Sequence, residues 1–300
     1  MKSTRAGLYC MSIGMLLVLA SPDSPAGVMD AGKPVRVNVN KDSSAGTKKP
    51  TALPFGLKPV SSTVAFHIQQ FQWEEFEGNG DRLLKEDGPL FGITLLAEQV
   101  AGRVEIRERL RLFGGTVDYE GATWDEVPLE TEVGYVGGGL GLDGGFRFPL
   151  VNNLSAKLLA GLDSRIWQRD IKSQEEAQGY KEFWTVLQGR AGGALDARLP
   201  QGINLSAEVY AAIPLATFES VDLYGGVDLE PQQKATFGAE LQATWKQLFA
   251  SVFVESYEFD KSDSVEKQVA DGGMIYTLEL FQPKSEANIV GVQVGYRKVF

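Results

Sequence analysis

From residue 61 onward the apolar positions of the chain recur at every second residue. Leu205, Ala207, Val209, Ala211, Ile213 and Leu215 alternate with Asn204, Ser206, Glu208 and Tyr210. Ala235, Phe237, Ala239, Leu241, Ala243 and Trp245 repeat the pattern against Lys234, Thr236, Glu240, Gln242, Thr244 and Lys246, and Leu154, Ala156, Leu158, Ala160 and Leu162 repeat it against Ser155, Lys157, Gly161, Asp163 and Arg165. A period of two places successive side chains on opposite faces of a strand, and no convincing helical periodicity competes with it. The alternating runs at about 130–148, 153–170, 181–198 and 203–218 are much longer than the roughly five or six residues of a soluble strand. They also exceed the roughly 9–11 residues that cross a bilayer at a tilt.

The connectors differ by side. Tight ones are expected at 199–202, 149–153 and 246–248, and long polar ones at about 77–87, 119–129, 171–180 and 219–233. Short turns at one end and long loops at the other are the arrangement of a transmembrane antiparallel up-and-down β-barrel, so the fold class is all-β. Counting hairpins predicts about ten strands, with twelve as the alternative. Met274–Phe281 (MIYTLELF) is placed as a protruding hairpin in the last long loop, because an eleventh strand would put the two termini on opposite sides. A soluble periplasmic β-protein is the competing architecture.

The last strand carries the most specific motif. Val290, Val292, Val294, Tyr296 and Phe300 share one face and the chain ends on an aromatic residue. This resembles the C-terminal strand of bacterial outer-membrane β-barrel proteins, where a terminal Phe is part of the assembly signal. The resemblance covers Gln293, Gly295, Tyr296 and Phe300, and Lys298 departs from it. Gly114–Gly121, Trp167–Asp170 and Phe281–Ser285 also resemble members of that broad class. The resemblance implies an integral outer-membrane location. It implies outer-membrane lipid, lipopolysaccharide and the barrel assembly machinery as partners, beside small solutes or a surface or periplasmic protein partner.

The N-terminus agrees with export. Lys2 and Arg5 precede the apolar run Met11–Ala20, too short to span a bilayer and suited to a secretory signal cleaved after Ala20. The only cysteine, Cys10, lies before that run, so lipidation is not expected. Residues 21–60 hold six prolines among Ser, Gly, Lys and Asp and read as a disordered periplasmic leader, which leaves 61–300 as the barrel. The 300-residue chain has a net charge of −10, and removal of residues 1–20 leaves −12 and no cysteine. An acidic chain of this kind does not suit nucleic acid as a partner. Its mean hydropathy of −0.12 averages an apolar outer face with a polar inner one.

On the polar face lie Glu105, Arg107, Arg109, Arg111, Asp143, Arg147, Lys157, Asp163, Arg165, Arg190, Asp196, Arg198, Glu208, Glu240, Lys246, Glu255 and Arg297. Both signs occur at similar depth, so the lumen of a narrow barrel is expected to be filled by paired charges. Arg107, Arg109 and Arg111 read either as an anion-selective constriction or as part of that network. Glu108 falls on the apolar face with Leu110 and Leu112, which requires either a register shift or a position near a boundary.

No catalytic machinery is expected. Omptin proteases, which share this barrel size, use Asp pairs with an Asp–His dyad at the outer rim, and lipid A-modifying barrels pair His with Ser near the outer leaflet. The only histidine, His67, lies in the first strand near the periplasmic half and suits a hydrogen-bonded lumen or interface role. No phosphate-binding loop, His/Cys metal cluster or cofactor motif is present. Carboxylates at Glu74, Glu75, Glu77, Asp81, Asp118, Glu120, Asp125, Glu126, Glu175, Glu176, Asp260, Asp263 and Asp271 read as a solvated acidic rim, a weak candidate for Ca²⁺. They also support an alternative role in surface binding. Trp73, Tyr119, Trp167, Trp184 and Tyr257 near the outer strand ends, with Phe148, Trp245 and Phe300 near the inner ends, are expected to form aromatic belts.

Overall fold

The computed structural model describes residues 57–122, 127–174, 177–271 and 274–300. The expected signal peptide (1–20), nearly all of the expected leader, and Asp125, Glu126, Glu175 and Glu176 lie outside the described residues.

Ten long strands form the wall: β1 (Lys58–Phe76), β2 (Arg82–Ala101), β3 (Val104–Ala122), β4 (Pro128–Val151), β5 (Leu154–Ile171), β6 (Lys181–Arg198), β7 (Ile203–Val221), β10 (Thr236–Trp245), β11 (Leu248–Asp260) and β14 (Lys284–Val299). Each pairs antiparallel with its neighbour, β10 joins β7 to β11, and β14 closes the ring on β1 from Ser61↔Val299 to Phe76↔Lys284. Closure leaves the wall no unpaired edge. The count is ten, not the alternative of twelve. Between β7 and β10, the short β8 (Val227–Leu229) pairs with β7 and β9 (Gln232–Gln233) with β11. In the last long loop β12 (Val265–Asp271) and β13 (Met274–Leu280) form a separate two-stranded hairpin, where the sequence places it.

Alternation sorts the side chains to two sides. Outward positions such as Val64, Phe66, Ile93, Leu142, Val209, Ile213, Val252 and Val294 are exposed, and they girdle the barrel in an apolar band. Glu108 lies on the outer face, and the β2–β3 and β3–β4 registers run through it without a shift. It is a carboxylate within the band.

Two expectations require correction. Strand pairing continues well past the band at the long-loop end, so residues 82–87, 119–122, 128–129 and 219–221 belong to strands rather than to loops. There the outward positions are polar, as at Gln70, Asp87, Asp118, Glu132 and Asp170. Polarity marks the end of the apolar band, not the end of the strand. The aromatic side chains near that end do not form an outer belt. Trp73, Tyr119, Trp167, Trp184 and Tyr257 are buried, because each shares the parity of the inward-facing residues of its strand. At the other end Phe148, Trp245 and Phe300 do lie exposed on the outer surface.

His67 shows how closely the interior packs. Its ring is fully buried, with Nδ1 3.1 Å from Thr94 Oγ1 and its edge toward Phe253. The ring occupies the space that a side chain at Gly92 would need: a Cβ there would meet His67 Nε2 at 2.5 Å and would clash with the Leu112 carbonyl. Gly92→Val should therefore destabilise the barrel by about 2–3 kcal/mol through overpacking, read from the urea unfolding midpoint of the refolded protein in detergent.

Candidate functional site

Within the band and toward the short-turn end, the lumen is crossed by a network of ion pairs. Arg107 donates from Nη2 to Asp143 Oδ2 at 2.8 Å and from Nη1 to Glu208 Oε2 at 2.7 Å. Arg190 also donates to Glu208 and lies over the Tyr210 ring, and Arg109 Nη2 is 3.6 Å from Asp143 Oδ2. Glu255 accepts from Arg111, from Arg165 at 2.7 Å and from Tyr210 Oη at 2.8 Å. Asp163 takes Arg165 and Gln188. Toward the short turns, Lys157 bridges Glu105 and Asp196 at 3.2 Å each, Arg147 joins both, and Arg297 meets Glu98. Glu240 accepts from Gln293. Among the described residues the signs balance: Arg107, Arg109, Arg111, Arg147, Lys157, Arg165, Arg190 and Arg297 answer Glu98, Glu105, Asp143, Asp163, Asp196, Glu208, Glu240 and Glu255. Buried charges persist when they are paired and hydrogen-bonded, which this arrangement provides for most of the layer.

Two residues that the sequence aims into this layer do not lie in it. Arg198 is exposed at the short-turn end of β6, where Asn153 donates to its carbonyl. Lys246 sits in the β10–β11 turn with φ +55°, and its ammonium lies over the Trp245 ring. In both cases the turn ends the alternation that would have aimed the side chain inward.

Above the band a second layer fills the barrel, and this one is aromatic. The Trp167 and Trp184 rings stack at 5.4 Å with an interplanar angle of 6°, Trp73 and Phe259 pack against Trp184, and Phe71 meets Tyr135 at 4.8 Å. Arg169 is embedded in it, fully buried. Its guanidinium reaches Glu75 Oε1 at 3.1 Å, Glu182 Oε2 at 2.5 Å and Glu86 Oε1 at 2.5 Å. The Trp73 and Trp184 indoles donate to Glu75 and Glu182, Tyr135 Oη donates to Glu86, and Gln282 Nε2 donates to Glu75. Burial pushes the Glu86 and Glu182 carboxyls above their ordinary range, against the pull of Arg169. A cavity of about 40 Å³, with mostly apolar walls that include Phe71, Phe113, Trp167 and Ile289, separates the two layers. That is room for a few waters, not for an organic solute.

This upper cluster is what sequence reasoning missed. Glu75 is not a loop carboxylate but an inward residue of β1. Arg169 and Glu182 share the inward parity of Asp163 and Arg190 on their own strands, and that parity was the available signal; Glu219 is out of parity with Glu208 and is turned inward by the register shift between Pro214 and Ala216 of β7, which strict alternation does not reveal. Glu74, Asp118, Glu120 and Asp260 do face outward or stand exposed. No group of acidic, His or Cys side chains among the described residues is arranged to hold a metal ion.

No protein-family model matches the chain, and no curated protein does. Solved structures do match its fold. The outer membrane protease OmpT from Escherichia coli superposes with a TM-score of 0.54 at 10% identity, over 85% of this chain and 100% of that one. The fold is that of the bacterial outer-membrane β-barrels. Other neighbours of this class are the beta domain of the Bordetella autotransporter BrkA, with a TM-score of 0.37 at 17% identity over 78% of this chain and 98% of that one, and the P. putida toluene transporter TodX, with 0.30 at 10% over 80% and 90%. Identities this low carry the architecture and no activity.

The ion-pair layer generates a graded prediction. Arg107→Met leaves the buried Asp143 and Glu208 carboxylates short of their main donor and should cost about 3–5 kcal/mol. Arg147→Met, whose side chain is 41% exposed, should cost under about 1 kcal/mol in the same urea titration.

Proposed function

We propose that the protein is an integral outer-membrane barrel that serves the envelope as a closed structural element, rather than as an open pore or an enzyme. The apolar band faces lipid, the short turns and both barrel termini face the periplasm, and the long-loop end projects outward beyond the membrane. The observation that carries this reading is the filled lumen: a balanced ion-pair layer and an aromatic layer, one above the other, with a cavity of only about 40 Å³ between them. Arg107, Arg109 and Arg111, which would line an anion constriction, are instead all within ion-pair distance of Asp143 or Glu255. The lone histidine is packed among Thr94, Phe253 and Gly92 in the band, and among the described residues no serine or carboxylate is hydrogen-bonded to it. Tyr296 on β14 and Phe300 just past its end, both exposed beside the seam with β1, are where the assembly machinery would read the chain.

A second reading, surface binding, is favoured by the β12–β13 hairpin, whose Ile275 is 72% exposed. Equal adherence of cells carrying intact and hairpin-deleted protein would dismiss it.

In planar bilayers the refolded protein should give no stepwise conductance. A variant that opens both layers, Arg107→Ala with Glu208→Ala, Trp73→Ala and Trp184→Ala, should give discrete steps, and steps from the wild type would overturn the closed-barrel reading.

A further inference from the structure

The two interior layers differ in their charge balance. Inside the band every basic group has a carboxylate to answer it. Above the band Glu75, Glu86, Glu182 and Glu219 share one guanidinium, that of Arg169. Arg169 holds the first three. Glu219 is 1% exposed, and neither of its carboxylate oxygens has a hydrogen-bond partner. An ionised carboxylate in that position would carry an uncompensated buried charge, which costs far more than burying the neutral acid.

Its position gives that proton a task. On β7, Glu219 pairs with Leu229 of β8, two residues below the Val221↔Val227 pair. Val221, Val227 and Leu229 form a small apolar cluster of their own, against which Tyr180, Leu223 and Leu280 pack. Leu280 ends the β12–β13 hairpin, and Lys267 of the same hairpin donates to Gly226 O at 2.8 Å. The segment 222–235 and the hairpin thus form one cap, and Glu219 lies directly under its footing. The groups that act on it are Glu182 on β6, Glu75 on β1 and Arg169 on β5, while the inward residues of β8, Val227 and Leu229, are apolar.

We propose that Glu219 is a proton-held latch: while it carries its proton the cap stays docked on the barrel mouth, and when the proton leaves, the buried charge drives the cap off. Burial, reinforced by the nearby Glu182 and Glu75 charges, holds the Glu219 carboxyl well above the ordinary range, against Arg169. A carboxyl raised in the docked state contributes stability that is complete below its value in the undocked chain, about 4.3. That contribution is lost as pH rises toward the raised docked value. The cap is therefore tightest in acid and loosens as pH climbs.

Hydrogen exchange on the full chain, refolded in detergent, tests this between pH 5 and 9. Protection factors of amides in 222–235, 261–271 and 274–282 should fall with pH in the wild type by up to about tenfold per unit, the dependence for one linked proton. Those of the band strands should not. In Glu219→Gln, a neutral isostere, cap protection should be independent of pH and exceed the wild type at pH 8. Lower protection in Glu219→Gln at every pH, or the same pH dependence in both proteins, would overturn the latch. So would a loss of wild-type cap protection on adding EDTA, which would mean a metal holds the carboxylate. If the variant fails to fold, a flat wild-type profile for the cap is by itself decisive against it.

Discussion

Everything in this structure follows from closing ten antiparallel strands into a ring. Closure satisfies the backbone of every strand and removes the sheet edge. The same closure sends half of each strand's side chains into a lumen barely wider than the side chains themselves. Those residues cannot rely on bulk water, so they must satisfy one another. The interior therefore has only two chemical solutions, paired charge or packed hydrocarbon, and the protein uses both, one above the other.

The order of the two layers fits their surroundings. Where the outer surface is apolar, the interior is ionic, and the wall between them is one strand thick. Where the outer surface turns polar, at Gln70, Asp87 and Glu132, the interior turns aromatic. Apart from β7, whose inward parity turns over at the register shift past Pro214, the strands keep their alternation, and the two faces exchange chemistry at the edge of the band. The projecting end then resembles a small soluble β-barrel, with its own core around Trp73, Trp184 and Phe259, mounted on a membrane-sized base. Arg169 is the exception that this core tolerates, since three carboxylates and the Trp73 ring surround its guanidinium.

The alternation made the barrel, its strand number, the protruding hairpin and the ionic layer legible from sequence, because period two speaks directly to which face a residue occupies. It failed where a second assumption was added. Polar residues at outward positions look like loops, which hides the strand extensions. Aromatic residues near strand ends, taken by position rather than by parity, turn an internal core into an external belt. Parity alone would have aimed Trp73 and Glu75 inward beside His67 and Gln69. The meeting of Arg169 with Glu75 and Glu86 was not legible, because pairing across a lumen depends on strand tilt and stagger, which a single sequence does not display.

The ion pairs of the lumen join residues distant along the chain. Arg107 and Glu208 are 101 residues apart and Arg111 and Glu255 are 144 apart, while the hydrogen bond from Gln282 to Glu75 spans 207. These cross-lumen contacts do not exist in a flat, half-built sheet, although neighbouring-strand pairs such as Arg107 with Asp143 and Arg190 with Glu208 do. A partly assembled sheet would hold such local pairs but leave Arg111 and Arg165 waiting for Glu255 of β11. The lumen network thus works as a ratchet: each strand brings part of its own neutralisation with it, and the remainder is gained only as the sheet curls and its two halves face each other.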